Sequence, residues 1–293
     1  MYTLKEIIEQ LINIRRLPTL NPVVVMVEKA LNAEEPDVQG LSRVISDDPS
    51  LTSMLLKVAN SALYGARREI TTVQEAVVRL GFTEVRKLVM DISVVNYVAD
   101  MPEGLLNPIK YWEHSIGVAI CMEQIQNMTR VMDKNGPQSH VVGLLHDIGR
   151  LISSTHLKEA YESLPDNPDE LGSDWNIIEI ERDRMGIDHA QIGAAVLDRW
   201  GLPTKIVNCV RYHHEPEVCP AEQRKQTYLL SLSDAICRKM QVGGSSEGCQ
   251  TEIPKKLWTK LGLDEGILEE VEKKITDQIQ KSLVLLNISG MQN

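Results

Sequence analysis

Leu, Ile, Val and Met recur at intervals of three and four residues along most of this chain, which is the period of one face of a helix. Asp48-Pro49 supplies a cap and a first-turn proline ahead of Leu51, Met54, Leu55 and Val58, so a helix is expected there. An apolar helix from Val23 to about Leu31 is expected before it, entered by the rigid segment Leu17-Pro18-Thr19-Leu20-Asn21-Pro22. Thr72-Val73-Gln74-Glu75 has the form of a capping box. Gly81 is expected to end that helix in a left-handed conformation, before another runs through Val85, Leu88 and Val89. Further helices are expected over about 110–129, 138–155, 174–184, 188–199, 203–214, 221–240 and 264–286. No stretch sustains strand alternation, and no solenoid-length repeat is present.

Two prolines and a glycine interrupt the pattern between about Ala99 and Pro108. This break predicts an all-α architecture of two packed helical lobes, residues 1–104 and 105–293. A flexible loop is expected at 241–248, where Gly and Ser dominate.

Composition sharpens the picture. Aromatics are 4% of the chain with a single Phe, so the core must be aliphatic, which suits helices. The formal net charge of −10 argues against a nucleic-acid coat or an anionic membrane surface as the main partner. Arg67, Arg68, Arg79, Arg86 and Lys87 make residues 72–89 locally basic, and a helical hairpin with a solvated charged face is the expected reading. No apolar run approaches the roughly 20 residues of a membrane span, and the N-terminus lacks an unbroken signal-peptide core. Cysteines 121, 209, 219, 237 and 249 form no CxxC pair, so reduced thiols in a cytoplasmic protein are expected.

All seven histidines lie beyond residue 105. His114 shares a helical face with Val118, Cys121 and Ile125, where an imidazole needs either a carbonyl partner or a metal. His146-Asp147 sits in the apolar run Val141–Gly149, where an ionised carboxylate is costly without a cation. Side chains of adjacent helical residues diverge by about 100°, so the pair could serve one ion lying over the seam between them. A buried His–Asp hydrogen bond or an ion pair with Arg150 are the alternatives. Asp234 replaces an apolar residue beside Leu230 and Cys237, as a ligand, a cap or an Arg partner. His213-His214 closes a helix, where a cation would suit the helix dipole. His189 begins one, where a solvated cap is the plain alternative. Together they form a nitrogen–oxygen donor set without thiolates, suited to iron, manganese or zinc.

The order His114, His146-Asp147, Asp234 resembles the HD superfamily of metal-dependent phosphohydrolases. With His189 and His213-His214 it is similar to the binuclear HD-GYP cyclic di-GMP phosphodiesterases. More closely, LPTLNPVVVMVEKAL, ISDDPSLTSMLLKVANSALYG, ITTVQEAVVRLG, WEHSIGVA, GLLHDIGRL, GIDHAQIGAAVLDRWGLP and VRYHHEP resemble the HDOD family over roughly residues 15–240. The resemblance implies an HD-like helical bundle in the second lobe. It also implies bacterial signal transduction, with the N-terminal lobe docking signalling partners. Many HDOD members have lost their ligands and are regarded as non-catalytic, whereas this chain keeps them. By the same resemblance, His114, His146, Asp147 and Asp234 would hold one metal, and Asp147 would bridge to a second at His189, His213 and His214. The cofactor implied is a divalent transition metal, iron or manganese ahead of zinc or nickel. Asp147 and Arg150 would be the catalytic residues, Arg150 standing where HD-GYP enzymes carry a basic residue near the substrate phosphate. After Glu215 the chain continues Pro216-Glu217-Val218 with no GYP tripeptide, which argues against cyclic di-GMP. The expectation is a signalling protein with a metal site and weak or no catalysis. The alternative is a phosphohydrolase or phosphodiesterase acting on a phosphate-containing small molecule such as a nucleotide or cyclic dinucleotide.

Overall fold

Residues 22–61, 64, 68–99, 106–132, 139–157, 176–244 and 252–289 are described by the computed structural model. Every regular element among them is a helix, as the three-to-four periodicity requires. The chain divides into two compact units, Pro18–Asp100 with Gln280–Asn293, and Met1–Leu17 with Met101–Ile279. Residues 17–21 of the entry segment, 100–105 of the expected lobe break, 245–248 of the expected loop, Arg67 and Cys249 lie outside the described residues.

The N-terminal unit contains α1 (Pro22–Leu31), α2 (Val38–Ser46), α3 (Pro49–Ala59) and α4 (Val73–Ala99). Asp48 caps α3 by accepting from Leu51 N at 2.9 Å, with Pro49 at the first position, where no donor is missed. The capping box forms as expected: Glu75 N donates to Thr72 Oγ1 at 3.1 Å and Thr72 N to Glu75 Oε2 at 3.3 Å. Gly81 takes φ 80° but ψ 161°, not the left-handed helical values expected of it. The result is a kink inside α4 at a conformation that suits glycine. The basic residues are tied within the unit. Arg86 Nε lies 3.3 Å from the buried Glu28, Lys87 Nζ 3.8 Å from Glu84, and Arg68 3.7 Å from Glu75, while Arg79 reaches Tyr64 O.

The second unit is built from α5 (Pro108–Thr129), α6 (Ser139–Leu145), α7 (Ile148–His156), α8 (Ile177–Met185), α9 (His189–Arg199), α10 (Thr204–Arg211), α11 (Ala221–Lys239), α12 (Lys255–Leu261) and the first part of α13 (Leu268–Ser289). Helix α5 packs on α6 and α11, α7 on α9, and α9 on α10. Val271 and Ile275 of α13 are fully buried, and Ile279 lies beside Gly117 of α5.

Three boundaries differ from expectation. The helix expected over 138–155 is two helices, broken in a turn at His146-Asp147. The helix expected over 203–214 stops at Arg211, which leaves Tyr212, His213 and His214 in a turn. The last expected helix begins at Leu268, after a 3-10 turn at Glu265–Ile267. Helices α2 and α12 were not anticipated. No described helix is long and apolar enough to cross a membrane.

Candidate metal centre

The break between α6 and α7 creates the centre. Asp147 occupies the cap position of α7, yet its side chain caps nothing there. Its carboxylate instead faces three imidazoles. Asp147 Oδ1 lies 3.2 Å from His189 Nε2, 3.5 Å from His146 Nε2 and 3.8 Å from His213 Nε2. Its other oxygen, Oδ2, accepts from Arg150 at 3.4 Å. From α11, Asp234 Oδ1 lies 3.3 Å from His114 Nε2 and 4.0 Å from His146 Nε2, and Arg238 Nη2 stands 3.0 Å from Asp234 Oδ2. His214 completes the row, its Nε2 2.9 Å from that of His189.

All seven residues expected as ligands therefore come together. They fall into three overlapping groups whose donor atoms lie within 4.8 Å of one another: His114, His146 and Asp234; His146, Asp147 and His213; His189, His213 and His214. His146, Asp147 and His189 are fully buried, and only His214 is half-exposed. His140 and His156 stay outside the cluster, with His140 facing Glu123 at 3.5 Å.

Hydrogen bonds on the far side fix the orientation of the His114, His146, His189 and His213 rings. His146 Nδ1 lies 2.7 Å from Gly143 O, and His213 Nδ1 lies 2.6 Å from Val210 O. A carbonyl only accepts, so both Nδ1 atoms donate, and in the neutral ring each Nε2 is left as a lone pair. Those lone pairs are aimed at a carboxylate, which is also an acceptor. Neither His146 Nε2 nor His213 Nε2 has a hydrogen-bond partner among the described residues. Buried acceptors facing one another repel unless a cation lies between them.

A proton is a poor candidate for that cation at His146 and His213. Burial depresses both rings, despite the pull of Asp147 and Asp234, and His213 falls to about 4. Burial and the neighbouring imidazoles of His213 and His189 likewise hold His214 well below the ordinary range. His189 is the exception. Burial opposes its charge, but the carboxylates of Glu181 and Asp147 outweigh it and raise this ring well above its usual value. Burial also opposes ionisation of Asp234, yet Arg238 and His114 hold its carboxyl below the usual range. The donor set fits a divalent transition metal: five imidazoles, four of them with outer hydrogen-bond partners, two carboxylates and no thiolate. The 2.9 Å between His189 and His214 Nε2 also suits two nitrogens each about 2.1 Å from one ion.

Two residues that hold this arrangement went unread in the sequence. Glu181 is fully buried and accepts from His189 Nδ1 at 2.7 Å. Arg238 stands one turn beyond Asp234. Glu181 carried a signal, since Ile177, Glu181 and Met185 line one apolar face of α8 and a carboxylate there needs a cation or a donor. A cavity of about 380 Å³ reaches the centre beside His213 and His214, with Arg182, Ser231, Arg238 and Lys256 in its walls. Arg150 is not among its lining residues. It lies buried against Asp147.

Comparison with known proteins places these features in context. The HDOD domain family matches residues 17–216. An uncharacterized protein of Treponema pallidum (strain Nichols) is 27% identical over 247 residues, 82% of this chain. The chain spans only 45% of that relative's length. An HDOD domain protein of unknown function from Geobacter sulfurreducens shares the fold with a TM-score of 0.79 at 24% identity, covering 94% of this chain and 96% of that one. A candidate phosphohydrolase from Shewanella amazonensis SB2B superposes with a TM-score of 0.65 at 25% identity, over 94% and 97% of the two chains.

Proposed function

The chain belongs to the HDOD family, and from that premise we propose that it is a bacterial signal-transduction protein built round a two-ion transition-metal centre, with weak or no catalysis. The observation that carries this reading is the pair of buried imidazole lone pairs, His146 Nε2 and His213 Nε2, turned toward the Asp147 carboxylate. One ion would be held by His114, His146, Asp147 and Asp234, and the other by His189, His213 and His214, with Asp147 shared. When bound, such ions supply Lewis acidity and neutralise charge on a phosphoryl oxygen. Iron or manganese suits this donor set best, with zinc and nickel next.

The chain's own residues preorganise the centre. Gly143 and Val210 carbonyls and the Glu181 carboxylate fix which nitrogen of each ring faces inward. Arg150 and Arg238 offset the charge of the two carboxylates from outside. The N-terminal unit, which contributes none of these residues, would be the docking surface for signalling proteins.

A second reading, a metal-dependent phosphohydrolase or phosphodiesterase, draws support from the cavity. It gives a small molecule a route to His213 and His214, past the cations Arg238 and Lys256. A phosphate group would be attracted there, while imidazoles deeper in are shielded from bulk water. The segment Pro216–Val218, a 3-10 turn, stands where a GYP tripeptide would follow, so cyclic di-GMP is not the favoured ligand.

Protein loaded with manganese or iron should be assayed against nucleotide monophosphates, phosphodiesters and cyclic dinucleotides, beside Asp147→Ala. Bound metal without turnover supports the signalling reading. Turnover abolished by Asp147→Ala supports the enzyme. Wild-type protein that binds no transition metal contradicts both.

A further inference from the structure

The two ends of the centre are held in different ways. His114 and His146 lean on main-chain carbonyls, Val242 O at 3.3 Å and Gly143 O at 2.7 Å. His189 is gripped from a neighbouring helix instead. Glu181 Oε2 of α8 accepts from both its main-chain N at 2.8 Å and its Nδ1 at 2.7 Å.

The next residue, Arg182, reaches two carboxylates at once. Its Nε and Nη2 donate to Asp188 Oδ2 at 2.8 and 2.7 Å, and its Nη1 donates to Glu215 Oε1 at 2.7 Å. Asp188 is the cap of α9, immediately before His189. Glu215 directly follows His214. Two consecutive side chains of α8 thus bind the two segments that carry His189, His213 and His214. A planar guanidinium can span both carboxylates in one fixed geometry, which an ammonium cannot. Of the apolar residues of α8, Ile177, Ile178 and Ile180 form a small cluster with Leu106, while Met185 is fully buried at the helix end.

We infer that Arg182 is a positioning residue for the second ion alone. Its two carboxylate contacts set the spacing of His189 and His214, and α8 acts as a latch on that group. The inference rests on the two-ion reading above. One consequence is that the group at His189, His213 and His214 can lose its ion while His114, His146 and Asp234 keep theirs. His114 and His146 are both oriented by main-chain carbonyls, whereas in the second group only His213 is, by Val210 O, and His189 is held by the salt-linked helix.

The test compares wild type with Arg182→Ala, and with Arg184→Ala as a control on the exposed side of the same helix. Metal per chain is measured by elemental analysis, and manganese titrations are followed by electron paramagnetic resonance. Wild type and Arg184→Ala should take up two ions and show the signature of a coupled manganese pair. Arg182→Ala should keep one tight ion with an isolated-manganese spectrum, its second affinity lowered about 10–100-fold, the usual effect of losing an outer partner of a ligand. Arg182→Lys should fall between.

Two tight ions with a coupled spectrum in Arg182→Ala would overturn the latch, and so would equal weakening of both ions in a folded variant. If circular dichroism shows that Arg182→Ala does not fold, Glu215→Gln, altered at an exposed carboxylate, carries the same test with a several-fold effect on the second ion. Wild type that binds no ion would instead sink the metal-centre reading, so the two failures are distinct.

Discussion

Asp147 Oδ1 lies 3.2 Å from His189 Nε2, and close packing of two helices sets that distance. Asp147 stands just before α7 and His189 begins α9, and the helices meet at Gly149 and Gly193. A Cβ added to Gly149 would stand 1.9 Å from His189 O and 2.7 Å from Gly193 N. Only the absence of a side chain lets the carboxylate and the imidazole come together.

Gly149→Ala should therefore damage fold and centre together. The new methyl meets backbone, which cannot swing aside, so α9 must move away and carry His189 with it. Overpacking of this kind costs about 1–3 kcal/mol or more. Urea denaturation should show a lower midpoint, with weaker metal binding in the folded variant. An unchanged midpoint would contradict the packing described here.

The two carboxylates should differ in reach. Asp147 Oδ1 touches imidazoles of both ion groups, whereas Asp234 stands near His114 and His146 only. Asp147→Asn should reduce binding of both ions, and Asp234→Asn chiefly of one. Elemental analysis of the purified variants checks the difference, and equal losses would contradict it.

In the N-terminal unit, Asn60 closes the connection from α3 to α4. Its Nδ2 donates to Leu56 O at 2.9 Å and Ile70 O at 2.8 Å, and its Oδ1 accepts from Ile70 N at 2.8 Å. Asn60→Ala should cost about 1–3 kcal/mol, because it strands partly buried main-chain groups. Asn60→Asp keeps the acceptor for Ile70 N but sets a carboxylate oxygen against the carbonyls of Leu56 and Ile70, so it too should destabilise, by at least as much. Thermal unfolding of both variants measures the order.

Burial pushes the Cys209 thiol from its ordinary 9.0 up to about 12, against the small opposing effect of its bond to Thr227. The folded form thus holds this proton more tightly than the unfolded chain. Its contribution to stability is complete below about pH 9 and is lost as pH rises toward 12. At pH 8 the thiolate needed for alkylation is essentially absent in the native state. Iodoacetamide should label Cys209 only in denaturant, and rapid labelling of the native protein would contradict its burial.

The sequence made the helical fold legible because aliphatic residues keep a helical period through both units, and it exposed the centre because His114 and Asp234 interrupt apolar faces. The turn at His146-Asp147 was not legible. No proline precedes it, Gly143 lies inside the helix that comes before rather than at the break, and the apolar pattern runs through the turn. Arg182 was hidden for another reason: an arginine among acids on a short helix looks ordinary until Asp188 and Glu215, from other segments, are found opposite. Arg238, by contrast, stands one turn beyond Asp234 on the same helix and could have been read. Gly149 was as silent as Arg182, since its role depends on a backbone from α9.

The most direct measurement is anomalous X-ray scattering from crystals of protein grown with iron or manganese, recorded above and below the metal's absorption edge. Two anomalous peaks are predicted, both within coordination distance of Asp147, one beside His114, His146 and Asp234 and the other beside His189, His213 and His214. A map with no peak among these residues, although metal was supplied throughout, would contradict the metal centre.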